Sequence, residues 1–386
     1  MRILYISSAN GMGGGSVVAL LNIIREMIAH GHEVQVVTAM DKGPLLDEFR
    51  DLGCSYHQLS VRNNIYPRSY NPILFLPRLF YMLWSNYKAK LKLKHIIQNF
   101  CPDLVHTNVG TMNVAVDLCL KAGIPHVWHQ REYQDLDFNC LFFPSKKAFM
   151  RQIHRRGNYN ICITNGIFQY RQLRVGIDRV IYDGVFPANK TKRAPIFPKQ
   201  KFVLFAGRIE PAKGVLDLVR VFVDFHLKRP GYRLLIAGAI GNRGYYMKCL
   251  KVIEQAKISD SVQFLGNRSD IYDLMAHASM LVVPSRFEGF GFITAEAMLN
   301  YCPVVGRDTG GTKEQFDRGL EYFKEEIGLR FSDDCEMLGR MCQAVETDIM
   351  PMCNRAHDLV IKYYTSEYCV SQIEEYYRFV LEDSKH

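Results

Sequence analysis

Pro284-Ser285-Arg286-Phe287-Glu288-Gly289-Phe290-Gly291-Phe292-Ile293-Thr294-Ala295-Glu296 is the stretch on which the reading of this chain turns. Before it stands an apolar run, Met280 to Val283, with the signature of a buried parallel strand. After it the pattern predicts a helix from Ile293 to Tyr301. A strand, a glycine-rich turn and a helix start can aim several backbone N–H groups at an anion, and the helix dipole favours negative charge there. Glu288 and Glu296 flank that turn, and a carboxylate against a phosphate is repulsive. Both make better sense as acceptors for hydroxyl groups. A ligand with phosphates and hydroxyls together is a sugar nucleotide.

Around this stretch the second half alternates strand and helix. Phe202 to Ala206 reads as a strand that runs into Gly207-Arg208-Ile209-Glu210-Pro211-Ala212-Lys213-Gly214. A helix over 215–227 follows, then strands at 233–237 and 262–266, a helix near 271–278, and Pro303-Val304-Val305-Gly306 before Gly310-Gly311. This order predicts a doubly wound parallel sheet. Arg208 and Lys213 lie at a strand end of the same sheet as Glu288, where a guanidinium and an ammonium can neutralise a pyrophosphate leaving group.

The first half begins the same way. Ile3 to Ser7 is a strand, Gly11-Met12-Gly13-Gly14-Gly15-Ser16 a loop, Val17 to His30 a helix and Val34 to Thr38 the next strand. The dinucleotide fingerprint fails, because its third glycine would fall on Ser16, and this weakens a dehydrogenase reading. The glycines serve either as a tight turn or as a thin loop that lets a substrate approach the backbone. Two strands end in polar residues, Asp103 to Thr107 and Ile124 to Glu132, which places His106 and His129 where open α/β sheets bind ligands. Asp135-Leu136-Asp137 has the form of a metal-binding pair but no companion cluster, and no metal is assigned. The polar, proline-flanked segment from Pro187 to Pro195 reads as a linker.

At 386 residues, 48% apolar and 23% charged, the chain is long enough for two ordinary globular domains. The net charge of +9 is uneven: through Asp183 there are 21 Lys+Arg against 13 Asp+Glu, and beyond it 27 against 26. The basic excess therefore describes the first half's partner. Part of it lies in 63–98, where the apolar run Asn71 to Trp84 precedes Lys88, Lys90, Lys92 and Lys94. That mixture fits a helix in a membrane interface or a core helix with a solvated lysine face, and lysines at spacing two ring the helix. Eleven cysteines without a Cys-x-x-Cys pair, such as Cys101, Cys162 and Cys302, read as small core residues in a reducing, cytoplasmic setting. The chain enters its first strand directly, and no run approaches the roughly 18 apolar residues of a membrane span.

With these motifs in place, the chain resembles the retaining family-4 glycosyltransferases of GT-B fold over essentially its whole length. Glu288 and Glu296, separated by seven residues, resemble that family's two-carboxylate signature; Gly207-Arg208 with Lys213-Gly214 is similar to its donor-phosphate element. Gly13-Gly14-Gly15 resembles its N-terminal glycine loop, and Tyr182-Asp183-Gly184-Val185 its turn before the linker, although Asp183 stands where asparagine is usual. The resemblance implies that Arg208 and Lys213 hold the donor diphosphate, with the amides of Phe290, Gly291 and Phe292 around Gly289 completing the cradle. It also implies that Glu296 accepts from the ribose, Glu288 from the transferred sugar, and that Gly266, Asn267 and Arg268 surround the base. His129 matches a histidine beside the reacting carbon.

The expected architecture is two Rossmann-like domains facing across a cleft: 1–186 for the acceptor, a linker at 187–200, 201–365 for the donor, and a crossover helix over 366–386. The expected reaction is metal-independent transfer with retention, catalysed by His129, Arg208, Lys213 and Glu288. No cofactor is expected beyond a UDP- or GDP-linked sugar as substrate. The acceptor would be a saccharide or polyprenyl-linked saccharide of capsule, exopolysaccharide or lipopolysaccharide, with contact to the inner face of an anionic membrane and no nucleic acid partner. The alternatives are a GT-B-like nucleotide-sugar epimerase or phosphorylase, which would act without this acceptor, and a non-catalytic binding protein, which the intact set of charged residues opposes.

Overall fold

The computed structural model describes residues 1–7, 15–39, 43–68, 71–137 and 139–385, without the side chains of Pro72 and Leu74. The chain divides into two compact units, Met1–Pro187 with Ser366–His386, and Ala188–Thr365. The second unit takes in residues 188–199.

Unit 1 contains β1 (Arg2–Ser7), β2 (Glu33–Thr38), β3 (Ser55–Gln58), β4 (Ile65–Pro67), β5 (Leu104–Thr107), β6 (His126–Gln130), β7 (Cys140–Phe142), β8 (Asn158–Cys162) and β9 (Arg179–Val180). Among the described residues its main sheet has the order β3-β2-β1-β5-β6-β8-β9, parallel throughout, while β4 and β7 form a separate antiparallel ribbon. Both faces of the sheet are covered, so its strands read as continuous apolar runs rather than alternating ones. Ile3 and Tyr5 pack on one side with Leu20, Ile24 and Phe49. Leu4 and Ile6 pack on the other with Leu93, Ile97 and Phe100.

The helix Ser366–Asp383 closes the first of those cores with Ile373, Tyr377 and Val380. It thus returns to the N-terminal unit, against the helix Gly15–Ala29. Its end is held by Asp383, which accepts a bond from the Tyr159 hydroxyl at 2.8 Å.

Unit 2 contains β10 (Gln200–Ala206), β11 (Arg233–Ala237), β12 (Val262–Gly266), β13 (Ala278–Val283), β14 (Val304–Arg307) and β15 (Leu329–Phe331), ordered β12-β11-β10-β13-β14-β15 and parallel. Counted along the chain this is the 3-2-1-4-5-6 order of a doubly wound dinucleotide-type sheet. Val203, Phe205, Leu234, Met280 and Val282 meet Phe222 and Phe225 of the helix Val215–Lys228 in its core.

The most extended helix, Pro72–Phe100, is set by its ends. The Asn71 side chain accepts from the Ile73 N–H, and Pro72 supplies a preset φ at the first position. It stops at Cys101, which adopts a left-handed φ of 45°. That cysteine is exposed, unlike the buried Cys162 and Cys302, so its reading as a core residue is corrected: it is a helix cap.

Candidate functional site

In unit 2 the strand order reverses between β10 and β13, and open α/β sheets bind ligands outside the carboxyl ends at such a switch point. The loop after β10 carries Arg208 and Lys213; the loop after β13 carries Glu288 and the two glycines. The backbones of these segments meet closely. Arg286 N–H donates to the Ala212 carbonyl at 3.0 Å, and Gly311 N–H to the Glu288 carbonyl at 2.9 Å. A Cβ on Gly214 would overlap the Pro284 carbonyl, and one on Gly310 or Gly311 would overlap the carbonyls of Glu288 or Phe290. Gln315, buried beneath, donates to the Phe290 carbonyl at 2.7 Å. The turn is therefore anchored through its carbonyls, which leaves N–H groups for another partner.

Gly291 holds the turn's decisive conformation, a left-handed φ of 85°, and caps the helix Phe292–Leu299. That helix starts one residue earlier than the sequence pattern predicted, so Phe292 becomes its first residue. The N–H groups of Gly291 and Phe292 take no acceptor among the described residues, as the first turn of a helix requires of an outside partner. The Phe290 side chain is core, 2% exposed, so only its backbone is offered to a ligand.

The charged groups pair locally. The Lys213 ammonium bonds both Glu288 oxygens, at 3.1 and 2.9 Å, so two expected donor-binding groups lie in contact. The Arg208 guanidinium lies 3.0 Å from Glu210, and Arg208 remains exposed. Glu296 accepts from the Tyr272 hydroxyl at 3.3 Å; burial holds its carboxyl above the ordinary glutamate value, and that bond opposes the rise. At the end of β12, Gly266, Asn267 and Arg268 are exposed, and Arg268 is engaged by Asp270 at 2.6 Å. Tyr272 was not anticipated, because nothing in the local sequence ties it to a glutamate 24 positions on.

In unit 1 the described part of the glycine loop is Gly15, the exposed first residue of its helix; Gly13 and Gly14 lie outside the described residues. His106 and His129, on adjacent strands, are buried and joined, His129 Nδ1 lying 3.2 Å from His106 Nε2. Tyr377 reaches His106 Nδ1 at 2.5 Å, and Tyr5 reaches Tyr377 at 3.2 Å. Arg131 Nη2 lies 3.3 Å from His129 Nδ1, and its Nη1 bonds both oxygens of Asp183 at 2.5 and 2.6 Å.

Burial, aided by Arg131, holds the pKa of both histidines well below the ordinary value, so the rings are neutral. A guanidinium has no acceptor, so His129 Nδ1 must offer its lone pair and the proton must sit on Nε2. That Nε2 is buried and has no partner among the described residues. Asp183 is thus the counter-ion of Arg131, a buried pair not foreseen from the motifs; burial raises its pKa while Arg131 pulls it down. Asp135 holds Lys146 and Tyr170, and Asp137 accepts from the Tyr133 N–H. A further hollow of about 390 Å³ is lined by Arg62, Tyr66, Phe75 and Arg78.

Two units built on sheets of this order are the GT-B architecture of glycosyltransferases. Solved structures agree at the level of fold: the Anabaena protein HepE in complex with UDP superposes with a TM-score of 0.77 at 19% identity, over 97% of this chain and 99% of that one. The sequence adds the family. Residues 13–188 match Glycosyltransferase Family 4 and residues 188–324 match Glycosyl transferases group 1; the chain belongs to this family.

Among curated relatives, N-acetyl-alpha-D-glucosaminyl L-malate synthase of Bacillus anthracis is 26% identical over 54% of this chain and 54% of its own length. The lipopolysaccharide core biosynthesis mannosyltransferase LpsB of Rhizobium meliloti is 32% identical over 41% of this chain and 45% of its own. The chain thus spans about half the length of these relatives.

Proposed function

We propose that the chain is a retaining, metal-independent glycosyltransferase that moves a sugar from a nucleotide-sugar donor to a saccharide or polyprenyl-linked saccharide of a cell-surface polysaccharide. The observation that carries this reading is the switch point of the second sheet, where Lys213, Arg208, Glu288 and an open helix start share one edge. On this reading Arg208, Lys213 and the amides of Phe290, Gly291 and Phe292 hold the diphosphate. Glu296 accepts from the ribose, Gly266, Asn267 and Arg268 border the base, and Glu288 accepts from the transferred sugar. HepE, solved with UDP and with UDP-glucose, favours UDP as the nucleotide.

The chemistry follows from charge. As the bond to the donor phosphate breaks, negative charge grows on the diphosphate, and cations already in place stabilise that state more than the ground state. The leaving phosphate takes the acceptor's proton on the same face, which retains configuration. Glu288 is held by Lys213, which suits a hydroxyl acceptor better than a covalent nucleophile. The His129 Nε2 proton, buried without a partner among the described residues, is a donor for a sugar hydroxyl.

In unit 1 the hollow lined by Arg62, Tyr66, Phe75 and Arg78 suits an anionic amphiphile as acceptor, drawn from the inner face of a membrane. The test is turnover of a nucleotide sugar in Arg208→Ala and Lys213→Ala, each expected to fall by roughly one to three orders of magnitude. Unchanged turnover in both overturns the assignment.

A further inference from the structure

The helix Pro72–Phe100 buries one side and leaves the other bare. Ser85, Asn86, Ala89, Leu93, Ile97 and Phe100 are buried against unit 1. On the opposite side Ile73, Leu76, Phe80, Trp84, Tyr87 and Leu91 recur every three or four residues, the spacing that keeps side chains on one helical stripe. They are far from incidental contacts with water: exposure runs from 48% at Trp84 to 81% at Ile73. At a rise of about 1.5 Å per residue the stripe is about 27 Å long. An apolar patch of that extent marks a contact surface.

The charge around the stripe says what it contacts. Between Asp51 and Asp103 the chain carries seven Lys and Arg and no Asp or Glu. The four lysines alternate in sequence, yet on the helix Lys88 and Lys92 fall along one margin of the stripe and Lys90 and Lys94 along the other. Lys88, Lys92 and Lys94 are exposed, and the Lys88 ammonium lies 4.7 Å from the centre of the Trp84 ring. Lys90 is half-buried and pairs with Asp117. An apolar stripe with an aromatic belt between two rows of ammonium groups is complementary to acyl chains beneath a layer of anions. A second copy of the chain would bring the same net-basic face against itself. Among the described residues no helix is long and apolar enough to cross a membrane, so the helix would lie in the interface.

We propose that the exposed face of helix 72–100 docks unit 1 on the anionic surface of a lipid bilayer. This deepens the lipid-presented acceptor proposed above and rests on that reading only for its purpose. The test uses the full chain and vesicles of phosphatidylcholine with and without phosphatidylglycerol, with neither donor nor acceptor present, so its outcome is independent of turnover.

Cosedimentation with the anionic vesicles is expected at low salt, with loss in half-molar salt and little binding to phosphatidylcholine alone. Lys88→Gln/Lys92→Gln/Lys94→Gln should weaken it by on the order of a hundredfold. Phe80→Ser/Trp84→Ser should weaken it at every salt concentration. The substituted side chains are exposed, so the fold survives in both. No binding at low salt, binding that ignores both variants, or a homodimer that Phe80→Ser/Trp84→Ser disperses would overturn the proposal.

Discussion

At the scale of single residues, the buried charge pair Arg131–Asp183 organises the candidate site in unit 1. Both side chains are shut off from water, at 3% and 0% exposure. The guanidinium spans Asn108, His129 and Asp183, so its place fixes which nitrogen of His129 keeps the proton. Replacing Asp183 by asparagine keeps the shape and removes the counter-charge, leaving a cation buried alone. Asp183→Asn is expected to cost about 3–5 kcal/mol in the unfolding of unit 1. Urea denaturation measures it, and a cost below about 1 kcal/mol would show that the pair is not what holds Arg131. Asp183 was noticed in the sequence only as a departure from asparagine. Its partner was unreadable, because 52 positions separate them and the contact exists only once β6 and the segment after β9 share a sheet edge.

At the scale of elements, the parallel strands were legible and many helices of unit 2 were not. Met280 to Val283 and Phe202 to Ala206 are buried on both faces, so each shows as an apolar run bounded by glycine or proline. The helices Arg243–Gln255, Asp334–Glu346 and Met350–Tyr363 lie on the outside of the sheet, where mixed composition blurs the period. The glycine turns were legible as turns, but what each glycine is for depends on what passes nearby. Gly214 and Gly266 have nearly the same φ, 68° and 65°, yet a Cβ on Gly214 meets the Pro284 backbone and one on Gly266 meets nothing within 4 Å. Gly266→Ala is therefore expected to cost only the left-handed strain, about 1 kcal/mol. Gly214→Ala must also push apart the loops that carry Lys213 and Glu288, and should weaken nucleotide binding as well as stability. The melting temperature without ligand separates the two, and an equal loss from both substitutions would mean that the close approach is not needed.

At the scale of the molecule, the units differ in what acid does to them. His106, His126 and His129 are all in unit 1 and fully buried; burial lowers the pKa of each, to about 4 for His126 and well below the ordinary value of 6.5 for the other two. A folded unit 1 keeps them neutral, whereas its unfolded chain takes up a proton at each below about pH 6.5. The unfolded state then binds more protons, so stability is full above that value and lost as pH falls below it, by up to about 4 kcal/mol per pH unit for three groups. Glu374, bonded to His30 and His32, acts later. Burial raises its pKa, but the two histidines more than offset this and leave it below 4.5, so its contribution persists until the pH drops past that value.

Acid sensitivity of unit 1 should therefore begin near pH 6.5, well above the carboxylate range. Both tryptophans of the chain, Trp84 and Trp128, lie in unit 1, so their fluorescence reports on this unit alone. Urea midpoints read from it are expected to fall steadily from pH 7.5 to 5. His126→Gln should reduce the slope by about one proton, because its ring hydrogen-bonds Thr107 and Asn158 and acts on the His106–His129 pair only as the smallest of the influences on His106. A midpoint flat down to pH 5 would mean that the buried histidines take up protons without unfolding the sheet that holds them.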